Sequence, residues 1–172
     1  VRIVGHCSDM PAALSLADIV IAPSNQPEAF GRVAAEAGAM GVPAIGSSIG
    51  AQKEIVVNGE TGFITPPSDP AAFTIAICDR HNGVGADGVE WLYESNDPSA
   101  DLRIRLINAD GSPAELSGNG TRCVAAWLAT DRGLKNPRIL TDAGIKVCEL
   151  VGQNGLDLEF RTRMGNPNII GD

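Results

Sequence analysis

Short runs of consecutive apolar residues alternate with helical patterns in the first part of the chain. Arg2-Ile3-Val4-Gly5, Ile19-Val20-Ile21-Ala22-Pro23, Val42-Pro43-Ala44-Ile45-Gly46 and Gly62-Phe63-Ile64-Thr65 read as strands. Between them, Ser8 or Asp9 is placed to cap a helix through Met10 to Leu14, with Pro11 in the first turn, where a missing N–H costs nothing. Glu28 to Met40 reads as a helix of small residues closed by Gly41, and Gln52 to Val57 as a short one closed by Asn58-Gly59. Strands that are apolar throughout, regularly separated by helices, predict a parallel sheet covered on both faces, in the manner of a partial Rossmann-like α/β fold.

The pattern changes near residue 70. Ser68 or Asp69 caps one more helix, from Pro70 to Arg80. Beyond it lie strands over Val89 to Glu94, Leu102 to Asn108, Arg138 to Thr141, Ile145 to Leu150 and Leu156 to Thr162, several with apolar and polar residues in strict alternation. Asn96-Asp97-Pro98, Ala143-Gly144 and Gln153-Asn154-Gly155 supply the turns. One helix runs from about Asn119 to Asp131 and stops at Gly133. This half predicts a mixed, mainly antiparallel sheet around a central helix, an α+β arrangement. Residues 1–72 and 73–172 are therefore read as two parts, joined in or beside the helix that follows Asp69. Open sheet edges in both parts would favour self-association.

Composition narrows the function. A net charge of −8 argues against a nucleic-acid partner, because phosphate binding requires Lys and Arg to replace counterions. No apolar stretch is long enough to span a bilayer, and no signal peptide is visible. Val1 opens directly in a strand pattern, so the chain reads as an excerpt. Cys7, Cys78, Cys123 and Cys148 are widely spaced and form no C-x-x-C pair, so they read as reduced cytoplasmic thiols without a metal, with Cys123 in the core. Aromatic residues make up only 4% of the chain, so its cores rely on Ala, Val, Ile and Leu.

Two constellations carry chemistry. In the first, Glu28-Ala29-Phe30-Gly31 leads into a helix and Glu36 follows. Backbone amides of Phe30 and Gly31 at a positive helix end suit an anionic or hydroxyl-rich ligand, and the two carboxylates can accept hydrogen bonds from sugar hydroxyls. The plainer reading is a pair of solvated helix carboxylates. Ala17-Asp18-Ile19-Val20-Ile21-Ala22-Pro23-Ser24, Glu28 to Gly31, Glu36-Ala37, Met40-Gly41-Val42-Pro43, Glu54-Ile55-Val56 and Gly59-Glu60-Thr61-Gly62-Phe63 together resemble the C-terminal, donor-binding domain of family 4 glycosyltransferases. The resemblance implies that Glu28 contacts a donor sugar and Glu36 the nucleotide ribose, with Phe30 and Gly31 beside them. It also implies a diphosphate-binding Arg and Lys, which Arg2, Arg32 and Lys53 do not match.

In the second constellation, Asn108-Ala109-Asp110-Gly111-Ser112 closes a strand and Ser117-Gly118-Asn119-Gly120-Thr121-Arg122 opens a helix. A carboxylate held by the first-turn amides would make the adjacent α-proton more acidic, and a base on each side of that carbon would invert it. With Cys78-Asp79-Arg80-His81-Asn82-Gly83-Val84-Gly85-Ala86-Asp87-Gly88 and Met164-Gly165-Asn166-Pro167, these residues resemble the N-terminal domain of diaminopimelate epimerase, an amino-acid epimerase that needs no cofactor. The resemblance implies that Asn108 binds substrate and that Gly118 and Asn119 hold its α-carboxylate. Ser117 stands where that family has a catalytic Cys, a far less acidic group. As a helix N-cap, as a base, or as both, Ser117 fits the pattern. The opposing base of that family belongs to a second domain beyond Pro167, so each inherited site is expected to keep one wall and to be inactive alone. The partner is expected to be a diaminopimelate-like amino acid or a nucleotide sugar, or neither if the chain is an engineered or spliced fusion.

Overall fold

A computed structural model describes residues 5–155 and 157–165. The expected strand over Arg2 to Val4, Leu156 and the Asn166-Pro167 part of the last motif lie outside these residues. The elements run α1 (Met10–Ser15), β1 (Val20–Ala22), α2 (Arg32–Ala39), β2 (Ala44–Ser47), α3 (Gln52–Ile55), β3 (Gly62–Thr65), α4 (Pro70–Cys78), β4 (Gly88–Tyr93), β5 (Leu102–Asn108), β6 (Pro113–Ala114), α5 (Gly118–Arg132), β7 (Arg138–Thr141), β8 (Gly144–Asn154) and β9 (Asp157–Thr162). The chain divides into two compact units, Val1–Val89 with Ile107–Ser112, and Glu90–Leu106 with Pro113–Asp172.

The first unit is built on a three-stranded parallel sheet in the order β1-β2-β3, with Ile21 beside Ile45 and Ile45 beside Phe63. Every residue of β2 is buried, as its unbroken apolar run requires of a central parallel strand. The core joins Ala34 and Ala37 of α2 to Val42, Ala44 and Val56. Small residues on α2 let that helix sit close to the sheet. Asp69 rather than Ser68 caps α4, accepting the Ala72 amide at 3.0 Å. The sequence PAAFTIAIC has no polar face, so a helix made from it must be covered on more than one side. One side of α4 lies against β2 and β3. On another, Ala71 and Ile75 receive Gly111, whose φ of 83° allows the tight turn there. This packing draws residues 107–112 into the first unit.

The sheet of the second half has the order β4-β5-β7-β8-β9, with β6 paired to β5. The β5–β7 pairing is parallel, whereas β7–β8 and β8–β9 are antiparallel. Leu102, Ile104, Ile139 and Cys148 of the strands pack on Val124, Ala125 and Leu128 of α5, forming the core of the second unit. Ser117 caps α5, and Gly133, with φ of 69°, ends it in a left-handed turn.

Three expectations are corrected. The helix assigned from Glu28 to Met40 begins only at Arg32, because Gly31 takes a left-handed φ of 61° and Glu28 stays in the preceding loop. The helix assigned to Arg80 ends at Cys78, where Asp79 turns back to accept the His81 and Asn82 amides at 2.8 Å. Cys123 is exposed, because it falls on the opposite side of α5 from Val124, Ala125 and Leu128.

Candidate functional site

In open parallel sheets, ligands bind beyond the carboxyl ends of the strands. The loops that follow β1 and β2 meet there. Gly50, with φ of 62°, brings its backbone so close to Glu28 that a Cβ would lie 2.6 Å from the Glu28 nitrogen and oxygen. The Ala51 amide donates to the Glu28 carbonyl at 3.1 Å. The Glu28 backbone is thereby clamped. Its carboxylate Oε1 accepts a hydrogen bond from the Ser24 hydroxyl. Gln52, with no solvent exposure, joins the same cluster. Its Oε1 accepts the Ser47 amide at 2.6 Å, and its Nε2 donates to Ser24 Oγ at 3.2 Å.

Phe30 stands out of this loop with 70% of its surface exposed, and Gly31 forms the α2 N-cap without a side-chain hydrogen bond. Glu36 lies on the second turn of α2 and pairs with Arg32 at 3.0 Å on the surface. The structure thus builds a supported Glu28 and a Glu36 whose carboxylate already has a surface partner. A cleft of about 360 Å³ opens at the other ends of the strands, lined by Gly41, Pro43, Glu60, Thr61, His81 and Asn82 among others. None of Glu28, Phe30, Gly31 and Glu36 lines it.

Asn108 also belongs to the first unit. Its Nδ2 donates to Ser112 Oγ at 3.0 Å, and its backbone amide donates to the Ser112 carbonyl at 2.8 Å. Asp110 accepts both the hydroxyl and the amide of Ser112, at 2.5 and 2.9 Å, and these bonds lower its carboxyl below the usual range. Asn108 is therefore part of a closed hydrogen-bonded turn.

Ser117, Gly118 and Asn119 lie in the second unit at the start of α5. Ser117 Oγ accepts the Gly120 amide at 3.1 Å, and its carbonyl accepts the Thr121 amide at 2.9 Å and the Thr121 hydroxyl at 2.7 Å. The capping role expected of Ser117 is met. Gly118 faces Met164, whose Cε would lie 3.3 Å from a Cβ placed on Gly118, and Asn119 Oδ1 accepts from Arg122. The Gly118 and Asn119 amides lie in the first turn of α5, at its positive end and ahead of the first intrahelical bond.

Two buried groups near this helix escape a reading of the sequence. Glu90 on β4 lies against Gly120, with both carboxylate oxygens buried and without a hydrogen-bond partner among the described residues. Burial pushes its carboxyl up from 4.5 to about 7. The only signal in the sequence is a carboxylate between Val89 and Trp91 in an otherwise apolar strand, and nothing local says which face it takes. Cys148 is fully buried, and desolvation raises its thiol, partly offset by the nearby Thr162 side chain and the charge of Arg122. Such a thiol is an inert core group. Among the described residues, no group of three or more His, Cys, Asp and Glu converges as a metal site, and no helix is long and apolar enough to cross a membrane.

A sequence profile for group 1 glycosyltransferases matches residues 1–82, and one for diaminopimelate epimerase matches residues 55–170. The diaminopimelate epimerase of Pelotomaculum thermopropionicum is 42% identical over 106 residues, covering 60% of this chain and 37% of that protein. That of Methanococcus aeolicus is 35% identical over 116 residues, covering 67% of this chain and 39% of that protein. The chain thus spans under two fifths of the length of these relatives. Among solved structures, Anabaena Alr3699/HepE in complex with UDP is 37% identical, covering 36% of this chain and 17% of that one, with a TM-score of 0.35. Its complex with UDP-glucose gives 37% identity, 38% and 18% coverage and a TM-score of 0.37. Through residues 55–170 the chain belongs to the diaminopimelate epimerase family, and a segment similar to group 1 glycosyltransferases is joined ahead of it.

Proposed function

We propose that the chain is a fusion of two half-sites, in which the epimerase part binds a diaminopimelate-like amino acid and supplies one of the two faces needed to invert its α-carbon. We place the join near residue 72; both family profiles match 55–82, a stretch that includes it. The observation that carries the reading is the start of α5. Ser117 caps it, and Gly118 and Asn119 sit in its open first turn. A substrate carboxylate held by those amides would draw charge from the α-carbon. Ser117 takes the place of the family's thiol base. An alkoxide is hard to form at neutral pH, so proton removal by Ser117 is slow, and inversion requires a second base on the other face. No cofactor enters this chemistry.

The leading part, in the same proposal, is a sugar-nucleotide half-site, with Glu28 accepting from a donor sugar and Glu36 from the ribose, beside Phe30 and Gly31. The Ser24 and Gln52 support of Glu28 favours it. Small anionic or zwitterionic metabolites, rather than nucleic acid, fit a chain of net charge −8. We place the protein in the cytoplasm, with lysine biosynthesis as the setting of the epimerase part, and its sheet edges as sites of self-association.

The test is exchange of the α-proton of diaminopimelate in deuterated water. The purified chain should bind diaminopimelate and exchange slowly or not at all, and Ser117→Cys should accelerate exchange. Neither binding nor exchange in either protein would sink the epimerase half and leave a fusion without native activity. Rapid inversion by the wild type would overturn the half-site reading.

A further inference from the structure

The bonds around Gln52 have a fixed direction. A backbone N–H can only donate, so the group that meets the Ser47 amide at 2.6 Å must be the Gln52 carbonyl oxygen. That sets the other end of the side chain as the NH2 group, which donates to Ser24 Oγ at 3.2 Å. A carboxylate can only accept, so Ser24 must spend its one hydrogen on Glu28 Oε1. The order is Ser47 N–H to Gln52, Gln52 to Ser24, and Ser24 to Glu28, and each member has one role. Gln52 fills the space beside two glycines. A Cβ on Gly46 would lie 2.6 Å from its Oε1, and one on Gly31 would lie 3.4 Å from its Cγ.

We propose that Gln52 and Ser24 are positioning residues that pin one oxygen of Glu28 and so present the other, Oε2, as an acceptor for a hydroxyl of a sugar carried on a nucleotide. This rests on the sugar-nucleotide half-site proposed for the leading part and adds to it the device that sets its specificity. With Oε1 held by Ser24 and the Glu28 backbone clamped by Gly50 and Ala51, the carboxylate cannot swing to satisfy itself elsewhere. The fixed acceptor discriminates a ligand that brings a hydroxyl from one that does not. In this proposal Ser24 and Gln52 act on the sugar through Glu28, so the nucleotide contacts are left unaffected.

The experiment compares UDP and UDP-glucose binding by calorimetric titration in the wild type, Ser24→Ala, Ser24→Thr and Gln52→Met. A hydrogen bond to a charged acceptor is worth about tenfold in affinity, so the wild type should bind UDP-glucose at least that much more tightly than it would without the contact. Ser24→Ala and Gln52→Met should lose this gain with UDP affinity unchanged, and Ser24→Thr, which keeps the hydroxyl, should retain it. An equal loss for UDP and UDP-glucose marks a merely structural role and overturns the proposal, as does a full glucose gain in Ser24→Ala. A separate measurement needs no ligand. The side-chain NH2 resonances of Gln52 should be protected from solvent exchange and should shift in Ser24→Ala but not in Ser24→Thr. If the resonances behave so and the wild type binds neither nucleotide, the chain of bonds exists but the half-site does not, and the positioning role of Ser24 and Gln52 falls with it.

Discussion

The carboxylate of Glu90 occupies the space that a side chain on Gly120 would need. β4 and the first turn of α5 approach so closely that only a glycine fits above this carboxyl group. Among the described residues the oxygens find no hydrogen-bond partner, and that environment favours the neutral acid.

The sign of the pH effect follows. The Glu90 carboxyl in the folded state is raised to about 7 by burial, against an ordinary 4.5. Below 4.5 it is protonated in both states. Between 4.5 and 7 the unfolded chain loses the proton first, so folding stability falls as pH rises through this window and levels off above it. The full effect would be ~3 kcal/mol, and partial access of the side chain to solvent screens it to about 1–2 kcal/mol. Thermal melts of Glu90→Gln should show a smaller decline across that window and a higher midpoint than the wild type at pH 8. Parallel pH profiles for the two proteins would refute this account.

Gly120→Ala should be costly even though alanine is the better helix former. Its methyl group must displace the buried Glu90 carboxyl, and overpacking of this kind costs typically about 1–3 kcal/mol. Chemical denaturation measures it. A neutral or stabilising substitution would mean that Glu90 can swing aside freely.

At Ser117 the effects of cap and chemistry separate. Ser117→Ala removes the acceptor for the Gly120 amide and should cost ~1 kcal/mol of stability. Ser117→Asp keeps an acceptor at a positive helix end and should restore that stability, yet it should repel a substrate carboxylate. Denaturation midpoints and diaminopimelate titration read the two effects independently. A stable aspartate variant that binds diaminopimelate as well as wild type would remove the α5 start from the binding site.

The Arg32–Glu36 pair lies on the surface at 3.0 Å, with the Arg32 side chain 79% exposed. Exposed pairs of this kind contribute about 0.3–0.5 kcal/mol. Arg32→Ala should therefore leave the melting midpoint almost unchanged, and it should release Glu36 to meet a ribose. Nucleotide affinity measured on this variant should hold or rise. A fall would make Arg32 itself a ligand contact.

Leu128 has no solvent exposure and lies at the centre of the second unit's core with Ile139 and Cys148. Leu128→Ala should destabilise that unit by about 2–5 kcal/mol through the cavity it leaves. Hydrogen exchange should rise across α5 and β7, and a loss of less than about 1 kcal/mol by denaturation would show that the core collapses to fill the gap.

Much of the fold is legible in the residue order. Consecutive apolar residues mark β1, β2 and β3, and β3 falls over Gly62 to Thr65 as expected, because Asn58-Gly59 and Pro66-Pro67 punctuate it on both sides. Leu102 to Asn108 and Arg138 to Thr141 also form strands where the pattern puts them. The Ser117 cap is readable because Ser competes for free amides at a helix start. The start of α2 is not readable. Glu28 to Arg32 is compatible with a helix by composition, and only the left-handed turn at Gly31 holds Glu28 outside it.

What the residues determined by themselves was local: which segments extend, which coil, where they stop, and which motifs they carry. Tertiary structure decided which polar groups meet. Gln52 reaches Ser24 across 28 positions, and Glu90 reaches Gly120 from another element, and neither pairing has a periodicity or a spacing to announce it. The reason is that burial belongs to a surface of contact between elements and not to a stretch of chain. A glutamine or a glutamate looks solvated in sequence until a neighbouring element closes over it.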